Sequence, residues 1–378
     1  MKFIVKRASL KEAVDWVSRS GKAPGTLVHV TVGSDRVTLE GSDSEYWLKT
    51  DVHVESVLEQ GEFYTPIGQF ASMLGGLGDA LVELSMDEAS SHIIGTCGRA
   101  TFSLGVALEP DQWRDTPELS PVATVDREQA IWALRSAANV MASPSDRGKE
   151  RFQGVRVTVK GGEISFSSTN GYRVILTAIG AQADADFTTF IRPATALDAL
   201  GVISAKEATF VTSEEGLFGV ADGTTSSLGL PLAAVPPPWE KILTPGRSLA
   251  EGMALDLDEL QSGINLAQLT REMHFRVEPT GDEAYVSSQP VNGVPASQSS
   301  GRMAIPMMGD AIPPFTAAYE SLKPILSAVR TDTIIMRRPA GAGPQQTTPV
   351  YVYEDDTAEG GTRMEAVFMP IKDGSAGR

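Results

Sequence analysis

Val5, Leu10, Val14 and Val17 have the spacing of one strand position followed by a helical face at i, i+4 and i+7. The same set returns at Val125, Ala130, Leu134 and Ala137, displaced by 120 residues, and at Leu255, Leu260, Ile264 and Ala267, displaced by 250. Each copy predicts a short strand running into an amphipathic helix. Ser9 with Glu12, and Asp126 with Gln129, have capping-box spacing and mark helix starts in the first two copies.

A period-two pattern follows each helix. It holds Val28, Val30 and Val32, then Val37 and Leu39; Val155, Val157 and Val159, then Ile164 and Phe166; and, more weakly, Phe275, Val277, Tyr285 and Val286. Alternation interrupted by glycine-bearing turns predicts antiparallel hairpins buried on one face. A second helix is expected in "TPIGQFASMLGGL" through Phe70, Met73 and Leu74, in "RPATALDALGVI" through Leu197 and Leu200, and in "AAYESLKPILSAV" through Leu322, Ile325 and Leu326, where Pro324 predicts a kink. "ATFSLGVAL", "LFGVAD" and "MEAVFMPI" supply closing strands. The pattern is α+β, three tandem repeats of order β-α-β-β-β-α-β-β-β, spanning residues 1–120, 121–248 and 249–378. The boundaries fall near Pro121 and in Pro/Gly-rich "TPGRSLAEG", Thr244 to Gly252.

Composition narrows the function. With 48 acidic and 32 basic residues the net charge is −16, which argues against a protein that coats nucleic acid with its whole surface. Basic residues gathered on one face remain compatible with it. Met1 to Arg7 contains no apolar h-region, no run of eighteen apolar residues occurs, and Cys97 is the single cysteine. A cytoplasmic protein with no membrane span and no internal disulfide is expected.

Catalytic chemistry is not advertised. His29, His53, His92 and His274 are isolated, and surface or satisfied core positions account for them. One cysteine cannot complete a zinc-deaminase site beside His53 and Glu55. No Walker loop and no G-x-S-x-G elbow is present. "GGLGDAL", Gly75 to Leu81, follows a helix and reads as its C-terminal turn. Glu214-Glu215 and Asp355-Asp356 read as solvated turns. No cofactor and no metal is expected.

One stretch asks for more. In "STNGYRVILT", Asn170-Gly171 is a strong hairpin signal, yet Tyr172 and Arg173 follow at once. With three α+β repeats around it, Thr169-Asn170-Gly171-Tyr172-Arg173-Val174 resembles the Thr-Asp-Gly-His-Arg-Leu run of the bacterial sliding-clamp family, the β subunits of DNA polymerase III. The Met-Lys-Phe start, "GRATFSL" from Gly98, "PPPWEKILTP" from Pro236, and the ending Val367-Phe368-Met369-Pro370-Ile371-Lys372 are similar to family segments. The resemblance runs from end to end and is weakest in the third repeat.

What the resemblance implies is a DNA-clamp fold and a head-to-tail homodimeric ring around duplex DNA, with helices facing the hole. Such a protein is a non-catalytic processivity factor, bacterial and nucleoid-associated. It binds replicative polymerase, clamp loader and repair proteins through short linear motifs. The implied peptide pocket comprises Phe152, Thr169, Gly171, Tyr172, Arg173, Val174, Pro237, Lys241, Ile242, Val367, Phe368, Met369, Pro370 and Ile371. Tyr172 stands for a histidine, Lys241 for an arginine and Asn170 for an aspartate, which bears on partner preference; "AAYESL" offers no counterpart of the family's third-domain pocket residues. Implied DNA-facing residues are Arg19, Lys22, Arg135, Arg147, Lys149 and Arg192, with Lys323 nearby and "SPSDRGKER", Ser143 to Arg151, as a flexible basic loop. Implied dimer contacts are Phe102 and Leu104 against Ile264 and Leu269. The alternative is a divergent or phage-encoded clamp-like protein that binds motifs without being the main replication clamp.

Overall fold

The structure, a computed structural model, describes residues 1–21, 26–43, 45–78, 80–87, 91–107, 113, 117–250, 252–268, 274–289, 301–342, 348–354 and 362–371. It is α+β, dominated by antiparallel sheet. The helices are α1 (Arg7–Val17), α2 (Ile67–Gly76), α3 (Arg127–Ala138), α4 (Pro193–Val202), α5 (Trp239–Arg247), α6 (Leu257–Gln268) and α7 (Tyr319–Leu326). Contacts divide the chain into two compact units, Met1–Arg127 with Ala194–Pro231, and Glu128–Pro193 with Leu232–Arg378.

All twelve positions of the repeated apolar set are buried, none more than 3% exposed. The three strands that carry them, Lys2–Lys6, Leu119–Asp126 and Met253–Asp256, each run directly into α1, α3 and α6. Every junction is tied in the same way. The first helical amide donates to a carbonyl just ahead of a later strand: Arg7 to Ala80 at 3.1 Å, Arg127 to Lys206 at 2.9 Å, Leu257 to Asp332 at 2.8 Å. A helix start leaves amides without intrahelical acceptors, and here the neighbouring strand supplies one.

That arrangement overturns one expectation. The cap of α1 is Lys6, with no side-chain cap bond, so the Ser9–Glu12 box does not form. Ser9 lies inside the first turn because the helix begins at Arg7. α3 does start immediately after Asp126. In the third copy, where no cap was expected, the Asp256 carboxylate accepts the Glu259 amide at 2.9 Å.

In the first unit, a five-stranded and an eight-stranded sheet share the strands. α1 lays Leu10, Val14, Trp16 and Val17 on strands Arg36–Ser42 and Tyr46–His53 and against α2. Full burial of side chains of this size contributes roughly 1.5–3 kcal/mol each. The second unit holds a twelve-stranded sheet, in which strand Arg173–Gly180 pairs antiparallel with Arg363–Phe368. α6 packs on strands Glu283–Gln289 and Arg302–Gly309, and α7 on Phe315–Ala318.

The element order differs from expectation in two respects. Four strands, not three, separate α3 from α4 and α6 from α7, and five separate α1 from α2. Also, Thr244 to Arg247, read as linker, closes α5. Pro245 is tolerated there because Trp239 and Leu243, one turn apart, are both buried. Pro121 likewise lies within a strand, at an irregularity of its pairing.

Candidate functional site

Strands Glu163–Thr169 and Arg173–Gly180 form the expected hairpin, and its turn is built by two side chains. Asn170 Oδ1 accepts the amides of Tyr172 at 3.0 Å and Arg173 at 3.2 Å. Thr169 Oγ1 accepts the Gly171 amide at 3.0 Å and donates to the Arg173 carbonyl at 2.5 Å. Gly171 has φ 93°, a conformation side-chain-bearing residues adopt only under strain. The turn thereby projects Tyr172 into solvent, 63% exposed. The hairpin is tied down to α3 by Ser168 Oγ, which donates to Ala137, and Thr177 Oγ1, which donates to Ala133.

The C-terminal strand completes the wall. Val174 lies opposite Val367 and Arg173 opposite Phe368, and the Met369 amide donates to the Tyr172 carbonyl at 3.0 Å. Val174, Leu176, Val367 and Tyr351 form a buried cluster capped by Trp239 and Leu243 of α5, with Leu249 and Tyr353 at its margin. Burial, with Glu365 adding to it, pushes the Tyr353 phenol up to about 12. Beside this floor, Ile242 and Met369 remain 38% and 41% exposed. Phe152, half-buried, sits beneath the turn: a Cβ on Gly171 would lie 3.5 Å from its ring.

Arg173 is half-buried, and its Nη1 donates to the carbonyl of Glu320 on α7. Burial lowers its pKa, with the Glu320 charge acting in the opposite direction. The loop from Ser143 is not a free tether. Gln153 Nε2 donates toward the carbonyls of Ser143 at 3.1 Å, Pro144 at 3.4 Å and Asp146 at 3.0 Å. So held, the loop places Lys149 Nζ 5.2 Å from the Tyr172 ring centroid and the Arg151 guanidinium 4.7 Å from that of Phe152. These are cation–π distances.

Thus Phe152, Thr169, Gly171, Tyr172, Arg173, Val174, Val367 and Met369 come together, with Lys241 and Ile242 on the helix that caps the cluster. Pro237 is half-buried in the approach to α5. Three of the expected residues turn elsewhere. Phe368 is fully buried with its ring 5.6 Å from that of Phe315, Pro370 is buried, and the Ile371 amide donates to Thr316. Sequence reasoning missed Leu176, Trp239, Leu243, Tyr351 and the Glu320 carbonyl. Only the i, i+4 spacing of Trp239 and Leu243 was there to find.

The other candidates are more dispersed. Arg135, Arg147 and Arg192 are exposed; Arg19 pairs with Asp198 at 3.4 Å and lies 5.5 Å from the Trp16 ring. Lys22 and Leu269 lie outside the described residues. On α1, α2, α3, α4, α6 and α7 the basic residues are Arg7, Lys11, Arg127, Arg135 and Lys323. Glu12, Asp15, Glu128, Asp198, Asp258, Glu259 and Glu320 outnumber them, so these helices are not a basic surface.

Strand Ala100–Gly105 is an edge of its sheet. Its Phe102 ring covers Gly95, where any Cβ would collide with it, and Leu104 is buried opposite Ile93. Ile264 is also buried, lining a cavity of about 200 Å3 between α6 and α7, whereas Leu266 is 37% exposed. No cluster of three or more potential metal ligands occurs among the described residues, and no described helix is long and apolar enough to cross a membrane.

Residues 1–116 match the family described as DNA polymerase III beta subunit, N-terminal domain. Among solved structures, a Pseudomonas aeruginosa DNA polymerase sliding clamp is similar at TM-score 0.81 and 16% identity, over 99% of this chain and 100% of that one. The Helicobacter pylori beta clamp in complex with diflunisal gives TM-score 0.82 at 16% identity, with the same coverage. A P. aeruginosa sliding clamp bound to griselimycin gives 0.80 at 15%, also over 99% and 100%. No curated protein matches by sequence. The family resemblance is borne out by sequence over residues 1–116, and by fold, that of bacterial sliding clamps, along the whole chain.

Proposed function

We propose that this protein is a DNA sliding clamp, a non-catalytic cytoplasmic ring that encircles duplex DNA and tethers polymerase and other partners through the pocket beside Tyr172. The observation that carries the reading is the clamp fold over 99% of the chain, at TM-scores of 0.80–0.82. In this reading residues 1–120, 121–248 and 249–378 are three copies of one domain. The equivalent helix junctions at Arg7, Arg127 and Leu257 support it. So does the way strand Thr225–Gly229 continues the sheet of Tyr46–His53, as Arg363–Phe368 continues that of Arg173–Gly180.

Ring closure would join the first domain of one protomer to the third of the next, a heterologous contact that closes after two copies. The edge strand Ala100–Gly105 would meet the strand Arg302–Gly309 and the C-terminal end of α6. Phe102 and Leu104 would shape that edge from within, as would Ile264 from beneath α6. Duplex passing through the ring would meet Arg19, Lys22, Arg135, Arg147, Lys149, Arg192 and Lys323 only loosely, because the helices carry so little positive charge. Retention then depends on topology more than on phosphate contacts.

The test is retention on DNA of defined topology. Protein loaded on a nicked circle should co-elute with it in gel filtration and be lost after a restriction enzyme linearises the circle. Equal retention on circular and linear duplex would reject encirclement. A ring that slides but fails to stimulate its host's replicative polymerase would point to the clamp-like, motif-binding alternative.

A further inference from the structure

The surface beside Tyr172 proposed above as the peptide pocket exposes Ile242 and Met369 and carries cations around them, on a chain whose net charge is −16. Lys149 lies over the exposed Tyr172 ring, Arg151 over Phe152, and Lys241 is exposed immediately before Ile242. The carboxylates beside Lys149 and Lys241 are already engaged. Glu240 pairs with Arg156 at 3.3 Å, Glu150 Oε1 accepts the Gly148 amide at 3.0 Å, and Asp146 forms a long, exposed ion pair with Lys149 itself at 3.9 Å, which a peptide carboxylate would have to displace. Lys241 pairs with no carboxylate among the described residues. Arg173 Nε is buried and likewise without a partner among them. The Gln153 clamp on the loop carbonyls, with the Lys149 amide bonded to the Asp146 carbonyl at 3.3 Å, orders the backbone that carries Lys149, which lowers the ordering cost of using it.

We propose that Lys149 and Lys241 make this pocket selective for acidic peptides, in which carboxylates flank the apolar residues that enter it. The inference rests on the pocket reading above and adds the chemistry of its partner. An anionic side chain docking at this lip exchanges water for the Lys149 and Lys241 ammonium groups, with the Glu320 carboxylate lying on the Arg173 side of the site. A cationic flank meets repulsion. The gain is one of specificity and encounter rate, since these groups stay partly in solvent.

The experiment uses the full-length protein and three fluorescein-labelled peptides sharing the core Gln-Leu-Ser-Leu-Phe, flanked on both sides by Asp, Asn or Lys. Anisotropy titration at low salt should rank them Asp, Asn, Lys, with the Asp peptide about three- to tenfold tighter than the Asn peptide. Roughly 0.5 M salt should collapse the ranking, because the Debye length then falls below about 5 Å. Lys149→Gln combined with Lys241→Gln should bring the Asp peptide down to the Asn level, while Lys149→Arg with Lys241→Arg keeps the preference. Equal affinity for Asp and Asn peptides overturns the proposal and leaves the pocket standing. A preference that survives in the double glutamine variant also overturns it. If no peptide binds a protein of wild-type mass and melting temperature, the pocket reading itself fails and takes this inference with it.

Discussion

Asn170→Ala tests the link from turn chemistry to binding. The substitution removes Oδ1, which accepts the Tyr172 and Arg173 amides at 3.0 and 3.2 Å. A net hydrogen bond is worth about 0.5–1.5 kcal/mol, and both amides can recruit water at this exposed turn. The low end therefore applies, and a loss of about 1–2 kcal/mol is expected for the pair. Part of that loss should be local. With the turn loosened, Tyr172 samples directions away from its place beside Lys149, and affinity falls by the fraction of molecules so misplaced. Urea unfolding should show a lower midpoint at unchanged slope, and peptide titration should show affinity about three- to tenfold weaker at constant capacity. Asn170→Asp keeps an acceptor in the same place and should recover both. If the alanine variant matches wild type in midpoint and affinity, the turn does not position the site.

Tyr172→Ala should leave the melting temperature nearly unchanged, since the side chain is 63% exposed, while weakening peptide binding by about tenfold in anisotropy. Trp239→Ala should cost about 3–5 kcal/mol in chemical denaturation, because the indole is 1% exposed in the cluster under α5; wild-type stability would contradict that packing. Met308→Asp, at a residue 65% exposed on strand Arg302–Gly309, should shift the protein toward monomer in sedimentation, and an unaltered dimer would exclude this strand from ring closure. His29 is buried and stacked on Tyr64 at 4.3 Å between Glu40 and Glu62. Burial opposes its charge, but the two carboxylates, Glu40 at 3.6 Å and Glu62 hydrogen-bonded at 3.2 Å, outweigh that and raise its pKa. A raised folded pKa gives stability that is complete below the unfolded value, about 6.5, and is lost as pH rises through the folded value. Melting scans from pH 6 upward should show that decline in wild type and not in His29→Gln; identical profiles would refute it.

The parts of this fold legible in the sequence are those whose cause is local. Val5, Leu10, Val14 and Val17 and their two counterparts announce a strand and a helix because side-chain spacing alone decides which face is apolar, and all are buried. The Asn170-Gly171 turn was legible for the same reason. The strands Phe187–Ile191 and Phe315–Ala318 were not: "FTTFI" and "FTAA" carry little alternation, and they become strands by pairing with Val155–Lys160 and His274–Thr280. α5 was hidden behind its prolines and exists because Trp239 and Leu243 find a cluster to cover. The buried cluster beneath the proposed pocket depends on Val174 meeting Val367, a register set by two strands far apart in sequence. Only the family resemblance connected them; spacing could not. It carried Phe368 along too, although strict alternation along that strand turns Phe368 to the opposite face from Val367, toward Phe315.

The distribution of positive charge joins these observations. The helices proposed to face DNA hold more acid than base, whereas Arg147, Lys149, Arg151, Arg173 and Lys241 concentrate around one hairpin. A protein that must slide gains nothing from strong phosphate contacts along its helices, since each one has to be broken with every step. A protein that must exchange partners gains from cations placed where a short segment docks, because long-range attraction raises the rate of encounter without deepening the bound state much. Lys149 belongs to both sets, as a candidate phosphate contact and as the ammonium over Tyr172. Its ammonium cannot serve a phosphate and a peptide carboxylate at full strength together. Its place over the Tyr172 ring puts it beside the proposed peptide site. If the protein is the proposed clamp, the loop is better suited to partner selection than to DNA, and the weak charge of the helices makes topology, not phosphate contact, the expected means of holding the duplex.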